Sequence, residues 1–99
     1  APKAIGPYSQ GVIANGMVYV SGCIGLVTAE DGSTSMADTV EEQAEQCLRN
    51  MAAILEAAGS HMSKVVKTTV LLRDMATYAQ VNKVYAKAFE DAKTTVMPA

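Results

Sequence analysis

The sequence has no tryptophan, one phenylalanine and one histidine, and this scarcity excludes several kinds of site. The lone histidine, His61, lies in a predicted loop with no motif around it. A Ser-His-carboxylate triad and a metal site both need partners that the sequence does not place near this residue. We therefore interpret His61 as a solvated loop residue, and we expect neither a metal nor any other cofactor.

Positive charge is also sparse. The eight lysines and arginines are dispersed, the net charge is −2 and the pI is about 5.2. A nucleic-acid surface needs clustered cations, so the composition argues against a nucleic-acid partner. No apolar stretch approaches the ~20 residues of a membrane helix, and no secretory signal is visible. We expect no membrane attachment and a cytoplasmic location, with a mitochondrial one left open.

The sequence contains only two cysteines, Cys23 in a predicted strand and Cys47 in a predicted helix. They show no disulfide framework, so we expect reduced thiols. Cys23 follows Gly22 and could be a nucleophile, but no predicted helix N-terminus or neighbouring base would lower its pKa. We interpret Cys23 as structural and Cys47 as part of the core.

Apolar residues, by contrast, are plentiful. They make up 49% of the 99 residues, against 18% charged residues. The length indicates one domain, residues 1–99, and so small a domain keeps little volume far from water. Part of its apolar surface is therefore expected to meet another subunit.

Turn and strand signals dominate the first third of the chain. Residues 12–14 and 17–20 have the character of strands, and Asn15-Gly16 between them is typical of a type I′ hairpin turn. Residues 23–27 predict a continuation or a third strand, and residues 29–33 predict a loop.

A long amphipathic helix follows. Apolar residues recur at helical spacing from Val40 to Ala58. Thr39 and Glu42 fit a capping box at its start, and Gly59 is typical of a helix end.

A second amphipathic helix is predicted from Tyr78, with Thr77 or Asp74 as its cap. The β-branched run 65–72 predicts a central strand, and residues 94–96 predict the start of another. The order β-β-α-β-α-β, with an optional third strand after the hairpin, indicates an α+β domain. We expect a mixed sheet with two helices packed on one face. A doubly wound nucleotide fold is excluded, because regular alternation and a Gly-rich turn are missing.

Two local features could carry chemistry. Gly6-Pro7 precedes Tyr8 in a stiffened turn, which presents a ring and a hydroxyl group. Ser21-Gly22 ends a predicted strand, where a glycine lets a ligand approach a backbone N–H. A half-buried tyrosine and a plain strand exit explain the same residues without any ligand.

Four sequence blocks occur in one order and at plausible spacings over nearly the whole chain: residues 4–10 (AIGPYSQ), 20–22 (VSG), 65–70 (VVKTTV) and 81–85 (VNKVY). Together they closely resemble the reactive intermediate deaminase family, also called YjgF/YER057c/UK114 or L-PSP. The resemblance implies a chorismate-mutase-like fold and a homotrimer with clefts between subunits. It also implies hydrolysis of enamines or imines, such as 2-aminoacrylate or 2-iminobutanoate, to 2-oxo acids and ammonia without a cofactor.

The same resemblance implies the site residues. Tyr8 would line the cleft, and the N–H of Gly22, beside Ser21, would contact the substrate carboxylate. Thr95 and Asn82 would line or support the pocket. Asn82 lies close to the apolar stripe of the second helix, so it could instead satisfy a buried backbone group.

The chain departs from the family pattern at three places. The family's Pro-Ala-Arg, whose arginine holds the substrate carboxylate, is matched to residues 91–93, so that Lys93 stands at the arginine position. Alternatively, those three residues are missing and Lys93 is only a solvated neighbour. The family's terminal strand, with a glutamate thought to activate water, finds no match before Ala99. We expect either an incomplete sequence or reduced chemistry. Cys23 stands where glutamine is common.

Two other functions stay open at this point. A ribonuclease acting on single-stranded RNA is an activity also attached to the family, although the acidic pI argues against it. A non-catalytic trimer that binds small carboxylates or protein partners is the other.

Overall fold

The computed structural model describes residues 1–94 and 96–99. Two β-hairpins and two helices follow one another as β1 (Gly11–Ala14), β2 (Met17–Val20), β3 (Leu26–Thr28), β4 (Thr34–Met36), α1 (Val40–Ala57) and α2 (Tyr78–Asp91). Short 3-10 turns occupy Met62–Lys64 and Met75–Thr77. The architecture is a small α+β domain, as predicted. Of the helices described, none combines the length and the apolar character needed to cross a membrane.

The first hairpin forms as the Asn15-Gly16 signal predicts. β1 pairs with β2 in antiparallel register, with Val12 opposite Tyr19. Asn15 and Gly16 have φ angles of 49° and 74°, the left-handed pair that a type I′ turn requires. The strand face that includes Val12 and Tyr19 is exposed, while Val18 on the opposite face packs against the core.

β3 and β4 form a second hairpin, and β3 overlaps the end of the strand predicted near residues 23–27. β3 is shorter than that range, and its partner strand β4 was not predicted. The loop between them is stabilised by Asp31, whose carboxylate accepts hydrogen bonds from the N–H and hydroxyl of Ser33 at 2.9 and 2.6 Å. These bonds favour the charged carboxylate and lower the pKa of Asp31.

Helix α1 begins and ends where the sequence predicts. The Thr39 hydroxyl oxygen accepts a hydrogen bond from the N–H of Glu42 at 3.1 Å, which satisfies one of the unpaired amides of the first turn. The chain leaves the helix through Gly59, whose φ of 80° is left-handed.

Helix α2 packs against α1 and closes the core. Of the two predicted caps, Asp74 is the one used: its carboxylate accepts from the N–H of Ala76 at 2.9 Å and begins the 3-10 turn that leads into α2. Phe89 is fully buried and packs against Tyr85, with ring centroids 4.8 Å apart. The core is completed from α1 and the following turn by Leu55 and Met62.

The predicted mixed sheet is not what the described residues show. Their strands form two separate antiparallel pairs. The run 65–72, predicted to be a central strand, is not a strand. Its backbone partner within the described chain is Ala99, which donates to the Val66 carbonyl at 3.0 Å and accepts from the Thr68 N–H at 2.8 Å. β-branched residues favour extended backbone, but a strand also needs neighbouring backbone to pair with along its length.

The strand predicted to start at residue 94 is also wrong where it can be judged. The N–H of Thr94 donates to the carbonyl of Phe89 at 3.1 Å, so Thr94 belongs to the turn that ends α2. The free carbonyls at the end of α2 thus hold the Thr94 N–H, although a β-branched residue favours a strand. Thr95 lies outside the described residues.

Candidate functional site

The turn that carries Tyr8 is tied to the end of β2. The N–H of Tyr8 donates to the Gly6 carbonyl at 2.9 Å, which closes a tight turn over Pro7. The Ser21 hydroxyl donates to the carbonyl of Ser9, the residue that follows Tyr8. The N–H of Ser21 also donates to the Gln10 carbonyl at 2.9 Å. Ser21 therefore fixes the N-terminal segment beside the strand exit.

Three of the predicted site residues come together around one recess. Tyr8, Ser21 and Gly22 line a small cavity of about 40 Å³, together with Cys23 and Asn50. That volume holds little more than a water molecule, so the recess of this chain does not by itself enclose a small-molecule ligand. Tyr8 stays 46% exposed at its edge, so its ring can contact a ligand bound above the recess.

Gly22 presents open backbone to this recess. A side-chain carbon built at Gly22 would have no neighbouring atom within 4 Å. At Gly25, three residues later, the same carbon would lie 2.6 Å from the Cα of Gln43 in α1. The two glycines therefore differ in their surroundings: Gly25 allows the chain to pack on the helix, while the backbone at Gly22 stays open.

Helix α1 supplies two side chains that hold this loop. The Cys47 thiol donates to the Cys23 carbonyl, with sulfur and oxygen 2.9 Å apart. The side-chain amide of Asn50 donates to the carbonyls of Ile24 and Leu26 at 3.2 and 3.0 Å. Sequence reasoning missed Asn50. The signal was a polar residue three positions after Cys47 on the apolar stripe of a helix.

Neither thiol is poised as a nucleophile. Burial raises the pKa of Cys47 to about 11, and the neighbouring Cys23 adds to the shift. Partial burial also raises the pKa of Cys23, opposed in part by the nearby N-terminal ammonium group. Both thiols are therefore protonated at neutral pH and lack the thiolate that a catalytic cysteine needs, which supports their structural interpretation.

The other predicted site residues lie elsewhere in the chain. Asn82 is exposed on α2, and within residues 1–94 and 96–99 its side chain makes no hydrogen bond to a buried backbone group. Lys93 is exposed in the turn after α2, where its φ of 58° and its bond from N–H to the Glu90 carbonyl end the helix. Neither lines the recess of its own chain. Thr95 falls outside the described residues. His61 is exposed and caps a 3-10 turn, accepting from the N–H of Ser63 at 3.1 Å.

A larger groove lies on the other side of α1, against the second hairpin. It has a volume of about 380 Å³ and is lined by three carboxylates, Asp38, Glu42 and Glu45. Its one lining cation, Arg49, is paired with Glu45. A carboxylate ligand would be repelled there, so size alone does not make this groove the better candidate. In the part of the chain that is described, no three His, Cys, Asp or Glu residues are grouped to hold a metal ion.

Comparisons with known proteins identify the family. The family model for endoribonuclease L-PSP matches residues 1–99. The chain belongs to this family, which is the YjgF/UK114 or reactive intermediate deaminase family. The chloroplastic Reactive Intermediate Deaminase A of Arabidopsis thaliana is 49% identical over 89 residues, which are 90% of this chain and 46% of that protein. The human 2-iminobutanoate/2-iminopropanoate deaminase is 46% identical over 90 residues, which are 91% of this chain and 64% of that protein.

Solved structures agree on the fold. The YjgF gene product of E. coli matches with a TM-score of 0.88 and 39% identity over 100% of this chain and 75% of that chain. E. coli TdcF with bound serine matches with a TM-score of 0.88 and 36% identity over 99% of this chain and 75% of that chain. The sequence thus spans about half to two thirds of the length of the Arabidopsis and human relatives.

The backbone also bears on the match made for Lys93. The family motif Pro-Ala-Arg opens a strand, but Lys93 sits in a helix-terminating turn. Extended pairing with the Val66–Thr68 segment is made instead by Ala99, which follows Pro98. The structure therefore places Lys93 at the end of a helix and not at the start of a strand.

Proposed function

We propose that this protein hydrolyses the reactive imines and enamines of small 2-amino acids. Water adds to the carbon of the C=N bond, the resulting carbinolamine loses ammonia, and a 2-oxo acid remains. The observation that carries the proposal is the recess formed by Tyr8, Ser21 and Gly22, in a chain 46% identical to the human 2-iminobutanoate/2-iminopropanoate deaminase.

The recess fits such a substrate chemically. A protonated imine carbon is already electrophilic, so the site needs to hold the substrate and place a water more than it needs a strong nucleophile. The backbone of Gly22 has open space beside it, so a substrate carboxylate can approach closely enough to accept from its N–H. The ring and hydroxyl of Tyr8 border the same space. Lys3, which also lines the recess, adds positive charge.

The shallow recess supports a site completed by a second copy of the chain. Val12 and Tyr19, opposite one another on the first hairpin, are 53% and 60% exposed, and Leu71 is 89% exposed. Apolar surface of this kind is typical of an interface between subunits. We propose a homotrimer with the site in clefts between subunits. Asn82 and Lys93 are exposed and do not line the recess of their own chain, so they would contribute to the site of a neighbouring copy. Sedimentation equilibrium tests this; a stable monomer at micromolar concentration would contradict it.

The size of the expected substrate is supported by a relative. E. coli TdcF, 36% identical to this chain, has serine bound in its solved structure. Imines of three or four carbons, such as 2-aminoacrylate and 2-iminobutanoate, are similar in size to serine. We therefore place them first among candidate substrates.

The test is the rate of ammonia release from 2-aminoacrylate generated by a pyridoxal-phosphate dehydratase acting on serine. With dehydratase kept constant, adding the full-length protein should raise the rate at which ammonia and pyruvate appear together. No increase over the spontaneous rate at any protein concentration would refute the proposal.

The family model's description, endoribonuclease L-PSP, makes RNA cleavage the second candidate. The net charge of −2 disfavours it, because RNA binding depends on cations that neutralise phosphates. We expect no cleavage of single-stranded RNA by protein that releases ammonia; cleavage that co-purifies with the protein and is abolished by Tyr8→Ala would favour the ribonuclease instead.

A further inference from the structure

Among the described residues, Asn50 is the one polar residue that is buried. It is 7% exposed, in the middle of α1, and lies among apolar residues. A buried amide is costly unless its hydrogen bonds are made, and Asn50 makes three. Its oxygen accepts from the Gln46 side chain at 2.9 Å, and its nitrogen donates to the carbonyls of Ile24 and Leu26.

The segment that Asn50 holds lies outside the strands, and its ends are paired through Ser21 to Gln10 and through Gly25 to Ala37. Residues 21–25 lie between β2 and β3 and belong to neither strand. Their attachments to α1 are the Asn50 amide, the Cys47 thiol on the Cys23 carbonyl, and the close approach of Gly25 to Gln43. All of these contacts lie on the C-terminal side of Gly22. The backbone that follows Gly22 is therefore held from α1, while Ser21 on its other side is held by Gln10 and Ser9.

We propose that Asn50 is a positioning residue for substrate binding: it fixes the Gly22 backbone against α1, so that the Gly22 N–H is held in place for the substrate carboxylate. The inference rests on the proposed function for the identity of the ligand. Asn50 also lines the recess, but its amide protons are taken by the two carbonyls, so it acts through Gly22. Misplacement of a binding group by about 1 Å can cost on the order of 100-fold in rate.

The test compares Asn50→Leu with Gln46→Met. The first keeps the branched heavy-atom shape of the side chain, although methyl groups are bulkier than the amide, and removes both bonds to the loop. The second removes only the bond to the Asn50 oxygen on the same helix and leaves the loop contacts intact. Both are made in the full-length protein, with 2-oxobutyrate as the probe ligand and backbone order parameters measured by NMR.

We expect Asn50→Leu to weaken 2-oxobutyrate binding about 10-fold or more and to lower kcat/KM about 100-fold. Order parameters at residues 22–26 should fall from about 0.85 towards 0.6, while those of α1 stay high. Gln46→Met should leave affinity and these order parameters near wild type. Unchanged affinity in a folded Asn50→Leu variant, or mobility spread evenly over the core, would overturn the positioning role.

If Asn50→Leu does not fold, Cys47→Ala serves in its place, because it removes the neighbouring bond to the Cys23 carbonyl. This variant should mobilise the same loop and weaken 2-oxobutyrate binding. Unchanged mobility and affinity would overturn the proposal. If wild-type protein does not bind 2-oxobutyrate, the proposed function fails. The positioning of Gly22 then stands only if residues 22–26 are more mobile in Asn50→Leu than in Gln46→Met, and equal mobility overturns it.

Discussion

Adding a single methyl group at Gly25 should destabilise the protein strongly. A Cβ there would lie 2.6 Å from the Cα of Gln43 and 2.9 Å from its Cβ and carbonyl oxygen. Ordinary contacts between such atoms need roughly 3.5–4.0 Å, so the loop and α1 must separate by about 1 Å. The obstacle is helix backbone, which cannot rotate away as a side-chain end could.

The expected cost follows from overpacking. Inserting an extra methyl group into a close-packed site costs about 1–3 kcal/mol. Separation would also stretch the bonds from Cys47 and Asn50 to the same loop, which places Gly25→Ala near the upper end. For a domain of this size, about 1 kcal/mol corresponds to a shift of roughly 4–8 °C in Tm. We predict a Tm lower by about 10–20 °C.

Gly22→Ala is the matched control, because its added carbon meets no atom within 4 Å. Its stability should stay within about 0.5 kcal/mol of wild type, since reduced freedom in the unfolded chain offsets small losses. Its affinity for 2-oxobutyrate should nevertheless fall, because the methyl group occupies the open face of the backbone. Thermal unfolding followed by circular dichroism checks both variants; a Gly25→Ala Tm within 3 °C or so of wild type would refute the packing argument.

Three other features make measurable predictions. Gly16→Val should cost about 1 kcal/mol or more in urea unfolding, because φ is 74° at Gly16 and a β-branched residue resists that region; an unchanged midpoint would count against the turn assignment. Thr39→Ala removes the acceptor for the Glu42 N–H and should cost about 1 kcal/mol, whereas Thr39→Ser should cost much less; equal losses would show that the hydroxyl is not the cap. The Cys47 pKa is raised in the folded state, so its contribution to stability is fully present at neutral pH and is lost as pH rises from about 9 to about 11. Cys47→Ala should reduce that alkaline loss, and an identical pH profile would contradict the burial argument.

Local sequence signals predicted the elements whose formation depends on neighbouring residues. Asn15-Gly16 specified a hairpin because the turn conformation is encoded in two residues. Thr39 marked the start of α1 because the cap bond spans only three positions. Four motif blocks identified the family, and with it Tyr8, Ser21 and Gly22, which the structure brings around one recess.

The wrong or missing predictions concern features that depend on distant backbone. The run 65–72 has strand-forming side chains, but pairing depends on what lies beside it, and in the described chain that is Ala99. Lys93 was matched because it precedes the strand predicted at residues 94–96, and the left-handed turn at Lys93 that ends α2 has no signal in the sequence. Asn50 was missed because its partners, the carbonyls of Ile24 and Leu26, are more than twenty positions away.

The most direct test of the central claim is a chemical-shift map of 2-oxobutyrate bound to the full-length protein, since two concave surfaces compete for the site. We predict the largest amide shifts at Tyr8, Ser21 and Gly22, weakened by Gly22→Ala. The larger groove beside α1, which carries Asp38 and Glu42, should be unaffected. Shifts concentrated at Asp38 and Glu42, with none at Gly22, would contradict the assignment of the recess as the deaminase site.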